Sequence, residues 1–173
     1  VLFFYLPYSW SNLACVIIFV AAAVTDIADG AIARSTGQTT RFGAFLDPVA
    51  DKLMVSTALV LLVQRQDAYE AIFAVAAAII IGREITISAL REWMSEIGES
   101  ELVKVSWVGK LKTIFQMTAI GFMLYQYKLL GIPTQFVGEM LLYTAAALTL
   151  WSMGSYLKAA WPVISSAGQT EQP

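Results

Sequence analysis

The sequence predicts an all-α integral membrane protein: a six-transmembrane-helix bundle, its first helix truncated, with a polar cavity open to the cytoplasm. Three observations carry that prediction. Of 173 residues, 58% are hydrophobic and 14% charged, with a mean hydropathy of +0.66, which is too apolar for an ordinary soluble domain. The apolar residues gather in long Ala- and Leu-rich runs without period-two alternation, so the spans read as helices and not as barrel strands. The basic residues are also lopsided, as counted below.

Val1 to Leu6, followed by Pro7, reads as the end of a span, because a helix needs about 20 residues to cross the hydrocarbon. The second segment opens at Ser11 or Asn12, either of which can cap a helix, and continues to Arg34. The third runs from about Gly43 to Gln64, the fourth from Ala71 to Trp93, the fifth from Val108 to Tyr127 and the sixth from Met140 to Tyr156. Short loops are expected around Arg65–Glu70 and Lys128–Thr134, and a polar one around Ser95–Lys104. One membrane domain spans 1–162, and the small, polar residues 163–173 form a flexible tail.

Alternating the segments puts Arg34, Arg41, Lys52, Arg83, Arg91, Lys104, Lys110, Lys112 and Lys158 on one face and only Arg65 and Lys128 on the other. The basic face is therefore expected to be cytoplasmic. Only 12 uncharged residues separate Lys52 from Arg65, and 12 separate Glu70 from Arg83. At 1.5 Å per residue each run covers roughly 18 Å of a core about 30 Å thick. Charge must then enter the cytoplasmic half of these helices, where protein and not lipid has to wall it.

Composition also excludes chemistry. With no histidine and a single cysteine, Cys15, the chain has no Ser-His or Cys-His catalysis, no imidazole or thiolate zinc site and no intrachain disulfide. A net charge of -2 offers no footprint for nucleic acid. Carboxylates, Arg, Lys, hydroxyls and bound ions remain.

The carboxylates have a pattern. Asp26, Asp29, Gly30, Ala33, Arg34, Gly43, Asp47 and Asp51 read D-x2-D-G-x2-A-R-x8-G-x3-D-x3-D. On a helix Asp26, Asp29, Gly30 and Ala33 fall at i, i+3, i+4 and i+7, so two acids share a face with two small residues that admit a ligand or a neighbouring backbone. Gly43, Asp47 and Asp51 fall at i, i+4 and i+8. Four converging carboxylates in a low-dielectric pocket cannot all ionise without cations. All-oxygen donors point to Mg2+ or Mn2+, two ions being expected, and such ions bind carboxylates together with substrate phosphates.

This spacing resembles the signature of the CDP-alcohol phosphatidyltransferase family at every fixed position. The resemblance implies a six-helix membrane enzyme, a homodimer, in which an alcohol hydroxyl displaces CMP from a CDP-linked lipid. It further implies that Asp26, Asp29, Asp47 and Asp51 hold the metal, and that Asp51 takes the proton from the attacking hydroxyl. Asp26, Gly30, Ala33, Arg34 and Gly43 would receive the CDP-lipid.

A second constellation concerns the acceptor. Arg83, Ile87 and Arg91 fall at i, i+4 and i+8, and Lys110 and Lys112 follow across the polar loop. Any one of these alone serves equally well as a snorkelling anchor, a surface ion pair or a topology signal. Their joint placement opposite a carboxylate site suits a phosphorylated acceptor. These segments, with Asp47 to Lys52, resemble bacterial family members acting on glycerol 3-phosphate over nearly the whole chain. CDP-diacylglycerol and sn-glycerol 3-phosphate are thus the implied substrates, giving phosphatidylglycerophosphate and CMP. The alternatives are an inositol phosphate, serine or phosphatidylglycerol acceptor, or an ion-coupled transporter, which would place acids near the midplane of several helices.

Overall fold

A computed structural model describes residues 10–36, 41–64, 70–103 and 107–167; the side chains of 26, 27, 29–36, 41–48, 70, 108, 110, 166 and 167 lie outside the description. Among the described residues five helices follow one another: α1 (Ser11–Thr36), α2 (Arg41–Val63), α3 (Glu70–Glu96), α4 (Trp107–Tyr125) and α5 (Thr134–Ala167). The expected first span, Val1 to Leu6, lies outside the described residues. A 3-10 turn at Ser100–Val103 joins α3 towards α4, and a small hairpin of β1 (Lys128–Leu129) and β2 (Ile132–Pro133) joins α4 to α5.

Local chemistry sets each reversal. At the end of α3 the Gly98 amide bonds to the Ser95 carbonyl, and the Glu99 amide bonds to the Met94 carbonyl at 2.7 Å. Gly98 has a φ of 81°, the left-handed cap that glycine adopts without a Cβ penalty. The hairpin turns on Leu130 and Gly131, whose φ values of 52° and 85° make the mirror-image turn that suits strand twist. Its exit is fixed where the Thr134 hydroxyl donates to the Tyr127 carbonyl at 2.7 Å. The sequence reading expects no strands, and this two-residue ladder in the Lys128–Thr134 loop is a small departure from it.

The last helix is a larger departure. It starts six residues before the expected Met140 and runs through Pro162 to Ala167, into the segment read as a tail. Proline removes one intrahelical bond and disfavours helix before it. Packing overrides that preference, since Val163 and Ile164, past the proline, lie against a buried cluster of Ile87, Met94, Val103, Tyr156 and Ala160.

A larger apolar cluster draws on all five helices, with Phe19, Leu59, Phe73, Ile80, Ile120 and Leu142 among its members. The most extensive pairing is α4 against α5. It closes over Gly138, where a Cβ would meet Met123 Cγ at 2.5 Å and the Ala119 carbonyl oxygen at 3.0 Å. In lipid the surroundings are as apolar as the core, so close packing over small residues is what associates helices. The outward faces carry Ile17, Leu53, Val75, Ile114 and Trp151, exposed by 57%, 62%, 58%, 60% and 75%. So much exposed apolar surface is unusual for a soluble protein and ordinary for one in lipid. Among the described residues, Ala71–Glu96 and Thr134–Ser165 are long and apolar enough to cross a bilayer.

Candidate functional site

Between the two apolar clusters lies a polar layer. Along α3 the buried sequence is Ile80, then Arg83 beside Glu84, then Ile87. Along α5 it is Ala146, then Thr149 and Ser152, then Tyr156, and along α4 Lys112 and Gln116 precede Ala119. Arg83, Lys112, Gln116, Thr149 and Ser152 are all buried. Burying such groups is unfavourable unless each is paired, so stability alone would not select this layer.

Its bonds connect three helices. Glu84 accepts from Arg83 Nη1 at 3.3 Å and forms a close ion pair with Lys112 Nζ. Arg83 Nη2 donates to Ser152 Oγ at 3.2 Å, and Ser152 Oγ donates in turn to the Thr149 carbonyl at 3.0 Å. Two turns farther along α3, Arg91 Nε donates to the Val103 carbonyl at 3.2 Å and its Nη2 to the Tyr156 hydroxyl at 3.0 Å. The glycine-capped turn after α3 is what brings Val103 back to that position. Arg83 Cζ lies 5.7 Å and Arg91 Cζ 5.2 Å from the centroid of the Tyr156 ring. Arg83 Nε, Gln116 Oε1 and Thr149 Oγ1 are buried without a partner among the described residues.

Three of the four predicted acceptor residues, Arg83, Arg91 and Lys112, thus come together. Lys110 lies in the first turn of α4, and its side chain is outside the description. Arg83 also makes the ion pair with Glu84 that its sequence neighbour made available. Ser152, Tyr156, Gln116 and Thr149 were not singled out from sequence. A signal existed: Thr149, Ser152 and Tyr156 fall at i, i+3 and i+7, and Lys112 and Gln116 at i and i+4, each a polar stripe on an apolar helix.

Asp26, Asp29, Gly30, Ala33 and Arg34 occupy the last turns of α1, and Gly43 and Asp47 the first turns of α2; their side chains lie outside the described residues. Asp51, farther along α2, is described and exposed. Among the described residues no group of three or more potential metal-ligating side chains occurs. The predicted polar cavity would border those acids and falls outside the description with them.

The backbone nevertheless relates the acidic end to the basic layer. Asn12 Nδ2 donates to Gln126 Oε1 at 3.3 Å, pairing the start of α1 with the end of α4. Fourteen residues on from Asn12 is Asp26, and fourteen back from Gln126 is Lys112. Each count is about 21 Å of helix, so in these antiparallel neighbours the Asp26 backbone stands roughly level with Lys112.

A cavity of about 610 Å³ lies between the same two helices, with Leu13, Phe19 and Val24 of α1 facing Met117, Phe122 and Tyr125 of α4. It is apolar, and Val24 ends it two residues before Asp26.

The sequence profile of the CDP-alcohol phosphatidyltransferase family matches residues 1–151. Curated relatives agree. A Yersinia pestis protein is 53% identical over 161 residues, covering 93% of this chain and 86% of its own. One from Pectobacterium atrosepticum is 53% identical over 160 residues, covering 92% and 85%, and one from Shigella flexneri is 51% identical over the same shares. All three are named CDP-diacylglycerol--glycerol-3-phosphate 3-phosphatidyltransferase.

Proposed function

This chain belongs to the CDP-alcohol phosphatidyltransferase family, and on that premise we propose that it transfers the phosphatidyl group of CDP-diacylglycerol to sn-glycerol 3-phosphate, releasing CMP. The observation that carries the acceptor's identity is the buried layer. Arg83 and Lys112 pair with one carboxylate, Glu84, while Arg91 beside them donates to the Val103 carbonyl and the Tyr156 hydroxyl. Two buried cations, Arg83 and Lys112, meeting at one carboxylate are costly to keep from water, and an added anion offsets that cost. A phosphate monoester dianion matches it in charge, and the planar guanidinium forks suit its oxygens. An acceptor of no net charge such as serine would bring the layer no phosphate dianion.

On this reading the work divides between the two ends of one cleft. Arg83, Arg91, Lys110 and Lys112 bind the acceptor phosphate, and Gly30, Ala33, Arg34 and Gly43 receive the CDP group. Asp26, Asp29, Asp47 and Asp51 are the residues that would hold Mg2+ or Mn2+. The donor set fits such an ion, being all hard oxygen and carried by the adjoining ends of α1 and α2. When bound, the metal neutralises the diphosphate oxygens and the leaving CMP. Asp51 accepts the proton of the attacking hydroxyl as its oxygen bonds to phosphorus, and no protein nucleophile is required. The apolar groove between α1 and α4 supports a lipid-linked donor, because an acyl chain lying in it leaves its headgroup beside Asp26. The active face is cytoplasmic, in the bacterial inner membrane, and the enzyme is a homodimer.

One acceptor panel tests the reading. Purified protein in detergent is given CDP-diacylglycerol and Mg2+ with sn-glycerol 3-phosphate, inositol phosphate, serine or phosphatidylglycerol, and CMP release is followed. Release dependent on sn-glycerol 3-phosphate is expected. Release with serine or phosphatidylglycerol alone would overturn the acceptor, and no release with any acceptor would overturn the transferase reading.

A further inference from the structure

We infer that Tyr156 is a positioning residue of the acceptor site, setting the spacing and tilt of the two arginines without touching the phosphate. The inference rests on the phosphate reading of the basic layer proposed above.

Its basis is that one side chain meets both guanidinium groups. The Tyr156 ring is 5% exposed and has Arg83 at 5.7 Å and Arg91 at 5.2 Å from its centroid. Its hydroxyl accepts from Arg91 Nη2 at 3.0 Å. Both arginines sit on α3, two turns apart, and with Lys112 nearby they repel one another. An electron-rich ring face attracts each cation and offsets that repulsion. The other contacts complete two jigs. Val103 and Tyr156 hold Arg91, while Ser152 and Glu84 hold Arg83.

Such a jig matters for a small anion. A phosphoryl group is bound well by two guanidinium forks only if both reach it at once, and long side chains lose rotamer freedom when they do so. Fixing them beforehand improves acceptor affinity and leaves the chemical step alone. The ring also fills the cluster with Ile87, Met94 and Ala160, so a purely structural role has to be separated from positioning.

Tyr156→Phe makes that separation, since it keeps the ring and its packing and removes only the hydroxyl. The expected result is a KM for sn-glycerol 3-phosphate raised about five- to tenfold, the range for losing one ordinary hydrogen bond, since Tyr156 acts on the phosphate only through Arg91. The KM for CDP-diacylglycerol and kcat should stay within about twofold. Inorganic phosphate, used as a competitive inhibitor, should weaken in the same proportion. Tyr156→Leu, which also removes the ring face, should raise the acceptor KM further. Should that variant fail to fold, the Phe variant and the phosphate inhibition constant still decide.

An unchanged acceptor KM in Tyr156→Phe, or a fall in kcat with both KM values shifting together, would overturn the inference. Arg83→Lys and Arg91→Lys separate its failure from that of its premise. If they raise the acceptor KM and Tyr156→Phe does not, only the positioning role fails. If neither arginine variant moves it, the phosphate site itself fails.

Discussion

Replacing Glu84 with glutamine keeps the side chain's size and removes the one carboxylate that the described layer offers to Arg83 and Lys112. Lys112 is 3% exposed and Glu84 24%, so solvent does little to screen the loss. Breaking a buried ion pair by removing one partner costs about 3–5 kcal/mol, and we take the lower end, about 3 kcal/mol, because Glu84 is partly reached by water. For a chain of this size that corresponds to roughly 6–12 °C in Tm. The assay is thermal unfolding of Glu84→Gln in detergent, beside Lys112→Met and the double variant. The double variant should recover much of the loss, because removing both members of a pair leaves no orphan charge. Added phosphate should then stabilise Glu84→Gln more than wild type. A ligand at 100 times its Kd contributes about 2.7 kcal/mol, and the variant's cluster has one more positive charge to offer it. A Tm for Glu84→Gln within about 1 °C of wild type would refute the reasoning about the layer. Equal stabilisation of both proteins by phosphate would refute its link to an anion.

Three further outcomes are expected. Gly138→Ala should destabilise by about 1–3 kcal/mol, because its Cβ would fall 2.5 Å from Met123 Cγ and 3.0 Å from the Ala119 carbonyl, and Met123→Ala should partly relieve it. A Tm equal to that of wild type would show that α4 and α5 shift apart freely. Asp51→Asn should keep its Tm, Asp51 being exposed, and lose about 10²–10⁴ in kcat; near-normal turnover would remove the base role. Chelation of divalent metal should abolish CMP release while far-UV circular dichroism stays helical, and Mg2+ should restore it; activity surviving exhaustive chelation would exclude the metal assignment.

Much of the fold is legible because each helix announces itself locally. Apolar runs bounded by polar loops place α1 to α4 within a few residues of where they are expected. The hairpin and the length of α5 were missed for different reasons. At Leu130 and Gly131 two left-handed residues make a turn that a leucine does not advertise. Past Pro162 the helix persists because Val163 and Ile164 find partners on α3 and in the turn at Val103, a reason no local propensity contains.

The candidate site divides the same way. By itself, the sequence determined the acidic motif, the family it resembles and the facing of Arg83 and Arg91, since these depend on spacing within one helix. Only the tertiary structure decided that Glu84 pairs with Lys112, that Ser152 receives Arg83, and that Tyr156 lies beside both arginines. These partners are 28, 69 and 65 residues apart along the chain for Lys112–Glu84, Arg83–Ser152 and Arg91–Tyr156. Helical periodicity states which face a residue occupies, but which face meets which is settled by the packing of α3, α4 and α5, with Gly138 letting the last two approach. The polar layer exists only where those three faces coincide.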